Sequence, residues 1–247
     1  MIDISVVIIA MNAEKTINQT LLSLQQFSEV ILYLNNSTDD TQKIAEQLAN
    51  VTVVKGFFDG FGTTKNRAST YAKNDWILSL DSDESLPTQL TEEIATLSLK
   101  QDHQVFILKR DNYFLGKHIK HSGWGHDLLI RIYNKTAHQF HNKTVHESVA
   151  TNTSTISTQL KQSFKHDAVQ DINQFLQKVM KYSDLAAKDK KTCSFTLVIL
   201  KAGFAFFKTF ILQLGFLDGW RGFVIAISNF NGKFFRYTKR YINCKKL

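Results

Sequence analysis

The first third of the chain alternates short apolar runs with amphipathic stretches. Ile4–Ala10 (ISVVIIA) is uninterrupted and β-branched, the pattern of a strand buried on both faces. Asn12 precedes Ile17, Leu21 and Leu24, which recur at helical spacing, so a helix capped by Asn12 is expected. Val30–Leu34 (VILYL) reads as a second strand, and Ser37 with Asp40 as a capping-box variant opening a helix with Ile44, Ala45 and Leu48 inward. Val51–Val54 is a third strand. Gly60-Phe61-Gly62 then breaks the chain before a helix expected over Thr63–Lys73, and Trp76–Leu80 is a fourth strand. Four strand–helix alternations predict an α/β, doubly wound sheet.

Beyond it, Ser85–Thr88 begins a helix with the chain's only proline, Pro87, in its first turn. Gln104–Arg110 and Leu128–Tyr133 read as strands, and the polar, Gly-, His- and Trp-rich stretch Asp111–Glu147 around the latter as loops with a function. Asp171–Ala187 places Ile172, Phe175, Leu176, Val179 and Tyr182 at helical spacing. Phe195–Leu217 is dense in Phe, Leu and Ile, but Lys201 and Lys208 interrupt it, so no unbroken run reaches the ~18–20 apolar residues of a spanning helix.

Composition changes this picture mainly at the C-terminal end. The 247 residues are 43% apolar, enough for one or two domains, and carry a net charge of +8, which calls for an anionic partner. After Lys190 the only acidic residue is Asp218, while basic residues mix with Phe and Trp220. That describes helices lying on an anionic membrane surface; the competing description is a helical subdomain with a basic outer face. No nucleic-acid-binding module is visible, so nucleic acid is not expected as a partner. Two cysteines, Cys193 and Cys244, are too few for a disulfide framework and point to a reducing compartment. The N-terminus has no basic n-region, so no signal peptide is expected. The expected organisation is residues 1–165 as one domain and 166–247 as a helical C-terminal region.

The chemistry concentrates in Trp76–Glu84, WILSLDSDE, where a strand ends in Asp81, Ser82, Asp83 and Glu84. Open α/β sheets bind ligands outside the carboxyl ends of their strands. Clustered carboxylates there repel, and a divalent cation relieves the repulsion; Asp81 and Asp83 are hard ligands suited to Mg²⁺ or Mn²⁺ carrying a diphosphate. The alternative is an acidic turn that caps the next helix. No Gly-rich dinucleotide fingerprint and no Walker A sequence is present.

ISVVIIAMNAEKTI, NNSTDDT, GFGTTKNRA, DWILSLDSDE, the GxxIxHSGW of Gly116–Trp124, RIY and VHE occur in the order seen in family 2 glycosyltransferases, which this chain resembles over nearly its whole length. GFLDGWRGF (Gly215–Phe223) and FFRYTKRY resemble the branch that adds a hexose to the inner core of bacterial lipopolysaccharide. The resemblance implies a GT-A fold, that is, a Rossmann-like mixed sheet flanked by helices, followed here by a membrane-associating helical region. It also implies a nucleotide-diphosphate sugar donor, a divalent cation and inversion at the anomeric carbon. The donor half would be about residues 1–100 and the acceptor half about 101–165.

By this resemblance Asp83 binds the metal, and Asp81 contacts the ribose or helps the metal. His146, beside Glu147 in VHE, completes the metal shell. Lys65 meets phosphate and Asn66 the base or ribose. Leu34 stands where the family usually has a base-reading Asp, so Asn35 or Asp39 takes that contact; helix capping competes for Asp39. The general base is Asp127, four residues before Arg131, with Glu147 as the alternative; an Asp127–Arg131 ion pair competes. Trp124 walls the sugar pocket or packs in the core. The activity implied is transfer of a hexose, glucose first, to a lipid-linked acceptor such as core heptose, on the cytoplasmic face of the inner membrane. Transfer to a polyprenyl phosphate or another surface glycan is the alternative, and a non-catalytic anionic-membrane-binding protein the remote one.

Overall fold

A computed structural model describes residues 1–141, 148–187 and 191–245. The chain divides into two compact units, Met1–Arg110 with Asp127–His166, and Asp111–His126 with Asp167–Leu247.

In the first unit β1 (Ile2–Ala10), β2 (Phe27–Asn35), β3 (Val51–Gly56) and β4 (Trp76–Asp81) run parallel in the order β3-β2-β1-β4. The crossovers carry α1 (Ile17–Leu22), α2 (Thr41–Ala45) and α3 (Phe61–Ser69). Residues alternate between two apolar clusters: Ile4, Val6, Ile8, Leu32 and Leu78 on one face, Val7, Ile9, Ile31, Tyr33 and Ile77 on the other. Burial of both faces is why these strands are unbroken apolar runs rather than alternating ones. The chain leaves β1 first towards β2 and β3, then returns past it to β4. Open α/β sheets bind ligands where the strand order reverses in this way, here at the carboxyl ends of β1 and β4, where Asp81 pairs in register with Ile9.

The sheet continues antiparallel. β8 (Leu128–Asn134) pairs with β4 and with β6 (Gln104–Phe114), and β7 (Lys117–His118) pairs with the end of β6. Next along the sheet comes β9 (Ile156–Val169), then β5 (Glu84–Ser85). Only Ser82 and Asp83 separate β4 from β5, yet β5 pairs with a strand at the far end of the path, so the sheet curls. The Asp81–Glu84 turn therefore joins the middle of the path to its far end. α4 (Thr88–Ala95) follows, with Pro87 at its N-cap.

Two local expectations change. Asn12 does not cap α1; it sits at φ 53°, and its side-chain oxygen accepts the Thr38 N–H at 2.8 Å, tying the loops after β1 and β2 together. β9 carries no apolar run: only Leu160, Phe164 and Val169 are deeply buried, so its pattern does not announce a strand.

The second unit holds α5 (Ile172–Ala187), α6 (Phe195–Phe207), a π-helical turn at Lys208–Leu212, a 3₁₀ turn at Gly215–Asp218 and α7 (Trp220–Lys245). Phe114, Ile119, Val169 and Ile225 form its small core, with Trp124 and Phe175 packed against it. The helical run Phe195–Leu212 is long and apolar enough by length and composition to cross a membrane, with the two lysines expected to interrupt it, Lys201 and Lys208, inside it. The helix continues through Lys201 and Lys208, whose apolar stems leave the run's character intact. Much of its apolar surface is bare, with Leu200 64% and Phe204 58% exposed. Cys193 and Cys244 form a disulfide, Cα atoms 5.4 Å apart. The sequence, which separates them by 51 positions, gave no sign of that proximity.

Candidate active site

The carboxyl edge of β4 is a chain of alternating charges. Lys65, 1% exposed on α3, donates from Nζ to Asp81 Oδ1 at 2.8 Å. Arg131, on β8, reaches Asp81 Oδ2 at 3.2 Å and contacts Glu84 Oε1. Arg110, on β6, donates to Glu84 Oε1 at 3.2 Å and to Asp127 Oδ2 at 2.7 and 2.8 Å. Glu84 is fully buried and accepts the Asp81 N–H at 2.9 Å, closing the turn. Three carboxylates thus interleave with three cations, so none of these charges is buried without an opposite neighbour. Burial alone would raise the Asp81 carboxyl; Lys65 and Arg131 reverse that and hold it well below the usual carboxylate range. Burial pushes the Glu84 carboxyl up and the Asp81 charge adds to it, against Arg131 and Arg110.

This geometry revises several sequence assignments. Both Asp81 oxygens are engaged by Lys65 and Arg131, at the position expected to contact the ribose or help the metal. Lys65, expected to meet phosphate, is held by the Asp81 carboxylate. Asp127 pairs with Arg110, whose strand β6 lies beside β8 in the ladder. Asn66 closes both amide groups on the backbone of Phe140, at 2.8 and 2.9 Å, and so holds the loop after β8. Asp39 accepts from the Glu14 N–H at 3.0 Å and from the Thr41 hydroxyl. Although burial alone would raise it, these hydrogen bonds lower its pKa. Its job is to fix the turn before α2. His146 and Glu147 lie outside the described residues.

Two features do point to a ligand. Asn35 ends β2 at the carboxyl edge, is 4% exposed, and its Oδ1 has no hydrogen-bond partner. A buried acceptor left unmade costs about 1–3 kcal/mol, so it awaits a donor. Second, Asp83 Oδ2 lies 3.6 Å from His166 Nε2, brought together by the β5–β9 pairing of Glu84 with His166. Sequence reasoning missed His166, because β9 was unrecognised and the register alone delivers it. Among the described residues no group of three or more His, Cys, Asp or Glu is placed to hold a metal. An Asp–His pair fits a cation that keeps waters and takes its remaining ligands from a substrate diphosphate.

In the second unit Trp124 packs against Phe114, ring centroids 6.2 Å apart, and its carbonyl accepts from Asn112 at 3.1 Å. Trp124 thus packs against the small core while remaining half-buried. Asp218 explains part of GFLDGWRGF: it accepts the Lys120 and His121 N–H groups, each at 3.1 Å, and the Ser122 hydroxyl at 2.7 Å.

Comparison with known proteins agrees with this architecture. A family model described as glycosyl transferase family 2 matches residues 5–167. A protein of Rickettsia bellii described as an uncharacterized glycosyltransferase is 30% identical over 256 residues, covering 96% of this chain and 85% of its own. A Rickettsia prowazekii protein so described is 31% identical over 252 residues, covering 96% and 86%. Among solved structures, S. aureus TarS 1–349 in complex with UDP-GlcNAc is similar at 17% identity and a TM-score of 0.47, covering 94% of this chain and 81% of that one. Glucosyl-3-phosphoglycerate synthase from Mycobacterium tuberculosis, with Mn²⁺, UDP and glucosyl-3-phosphoglycerate, is 26% identical, with a TM-score of 0.36 and 44% of each chain covered.

Proposed function

This chain belongs to glycosyltransferase family 2, an enzyme with a GT-A-like mixed sheet that uses a nucleotide sugar, and from that premise we propose that it moves a hexose, glucose first, to a lipid-linked saccharide such as lipopolysaccharide core heptose. The observation that carries the donor side is the carboxyl edge of the sheet, where unpartnered Asn35 and the Asp83–His166 pair flank Asp81. Asn35 Oδ1 accepts the imide N–H of uracil, while its amide donates to a ring carbonyl. Asp83 and His166 hold Mg²⁺ or Mn²⁺, with His146 the further ligand expected from the sequence. When bound, the cation supplies Lewis-acid stabilisation of the departing diphosphate. Lys65 and Arg131 keep Asp81 ionised for the ribose hydroxyls, and their positive charge lies beside the phosphates.

Asp127 takes the proton from the acceptor hydroxyl as its oxygen bonds to the anomeric carbon and the carbon–phosphate-oxygen bond breaks, inverting the centre. Arg110, gripping one Asp127 oxygen through two nitrogens, orients that carboxylate. Asp127 joins the same charge chain as Asp81, which favours it as the base, with Glu147 as the alternative expected from the sequence.

Residues 166–247 place the enzyme on an anionic membrane, at the cytoplasmic face of the inner membrane. We read the run Phe195–Leu212 as lying on the surface, because it carries Lys201 and Lys208 and is followed by the basic α7.

A donor panel tests the reading, scoring binding and hydrolysis of each nucleotide sugar with Mn²⁺ and with chelator. A UDP- or ADP-linked hexose binds with metal only. Tight binding of every donor in chelator overturns the metal assignment, and transfer to a polyprenyl phosphate but not to core saccharide selects the other acceptor.

A further inference from the structure

A cavity of about 770 Å³ lies within the second unit, between the loop around β7 and the start of α7. Lys117, Lys120 and Arg221 line it, together with Leu217 and Trp220. Among the described residues no ion pair engages any of the three cations. Arg221 is nevertheless held in place: it donates to the carbonyls of Phe114 at 3.0 Å and Leu115 at 3.3 Å and lies over the Trp220 ring at 4.4 Å. Asp218 also lines the cavity, but its carboxylate is filled by two backbone N–H groups and a hydroxyl of the loop. The cavity is therefore a preformed cationic site whose one acid already has three donors. Arg over an aromatic ring, backed by two lysines, suits a phosphate oxyanion.

The rim says which phosphate. Leu217 is 57% and Trp220 55% exposed, and Phe216 and Phe223 beside them are exposed too. Bare apolar and aromatic side chains next to cations are unfavourable in water and suit the headgroup boundary of a bilayer. We propose that this pocket binds the phosphate of an anionic membrane phospholipid, with Leu217 and Trp220 entering the lipid boundary beside it. The proposal rests on the membrane reading above and turns a diffuse attraction into a defined site.

The test uses the full chain and sedimentation with vesicles of phosphatidylcholine alone or mixed with phosphatidylglycerol. K117Q/K120Q removes two exposed charges from the pocket; K233Q/K245Q removes two exposed charges from α7. The pocket pair lowers partition onto phosphatidylglycerol vesicles roughly ten- to thirtyfold, and the control pair by less than about a third of that. Equal losses from the two pairs overturn the pocket in favour of spread surface charge. Inorganic phosphate binding that K117Q/K120Q abolishes, with vesicle partition unchanged, overturns the lipid assignment. An unmutated protein that binds no vesicle ends the membrane reading itself, whereas one that binds while the pocket pair binds equally ends only the pocket. Donor turnover by the unmutated protein, measured in the same preparation, tests the transferase reading separately.

Discussion

At the scale of single residues, the charges around Asp81 divide into those that shape the turn and those that meet a ligand. Glu84 is fully buried with two arginines and the Asp81 N–H, so it is structural. Asp83 and His166 face each other across 3.6 Å. His166→Ala should weaken Mn²⁺-dependent donor binding by about 10- to 100-fold while leaving the thermal midpoint within a few degrees, as read by calorimetry with and without metal. Unchanged metal dependence would return the ligand role to other residues. Asp81 gives a pH prediction. Its carboxyl is lower in the folded protein than its ordinary 3.8, so its pairing contributes stability above that value and loses it as pH falls below. Denaturant midpoints should drop below about pH 4, and Asp81→Asn should flatten that acid limb while lowering stability at neutral pH. The D-x-D was legible because a carboxylate pair following an apolar run is a local pattern. For Asn66 and Asp39 the sequence showed no backbone partners, because a polar side chain at a loop looks the same whether it serves the backbone or a ligand.

Elements divide differently. β1, β2 and β4 were readable because both faces are buried, which forces unbroken apolar runs. β9 was not, since most of its side chains are exposed or half-buried and its identity comes from its partner strands. In the second unit, Gly222 shows how closely the elements meet: a Cβ there would stand 1.8 Å from the Gly215 carbonyl oxygen, which is backbone and cannot swing aside. Gly222→Ala should destabilise by about 1–3 kcal/mol or more, measured by urea unfolding, with donor hydrolysis falling only as far as the folded fraction does. Gly203, with nothing within 4 Å of its added Cβ, is the matched control and should tolerate Ala. Within GFLDGWRGF, Gly215, Gly222 and Asp218 therefore serve packing and the loop clamp.

For the whole molecule, the +8 charge acts through where it lies. Ten of the basic residues follow Lys190 and face a single acid, Asp218, whose carboxylate is occupied. Vesicle binding should therefore fall steeply as salt rises from about 50 to 500 mM, leaving a salt-resistant remainder from the bare apolar residues of α6; sedimentation at stepped ionic strength separates the two. By itself the sequence determined the parallel half of the sheet, the acidic turn at its edge and the amphipathic, basic C-terminal third, because strand burial, turn chemistry and charge segregation are written in neighbouring residues. Tertiary structure alone decided which charge meets which: Arg110 with Asp127, Arg131 with Asp81 and Glu84, His166 with Asp83, Cys193 with Cys244. Those pairings depend on strand order, register and helix packing, and residues far apart along a chain carry no local mark of what they will touch.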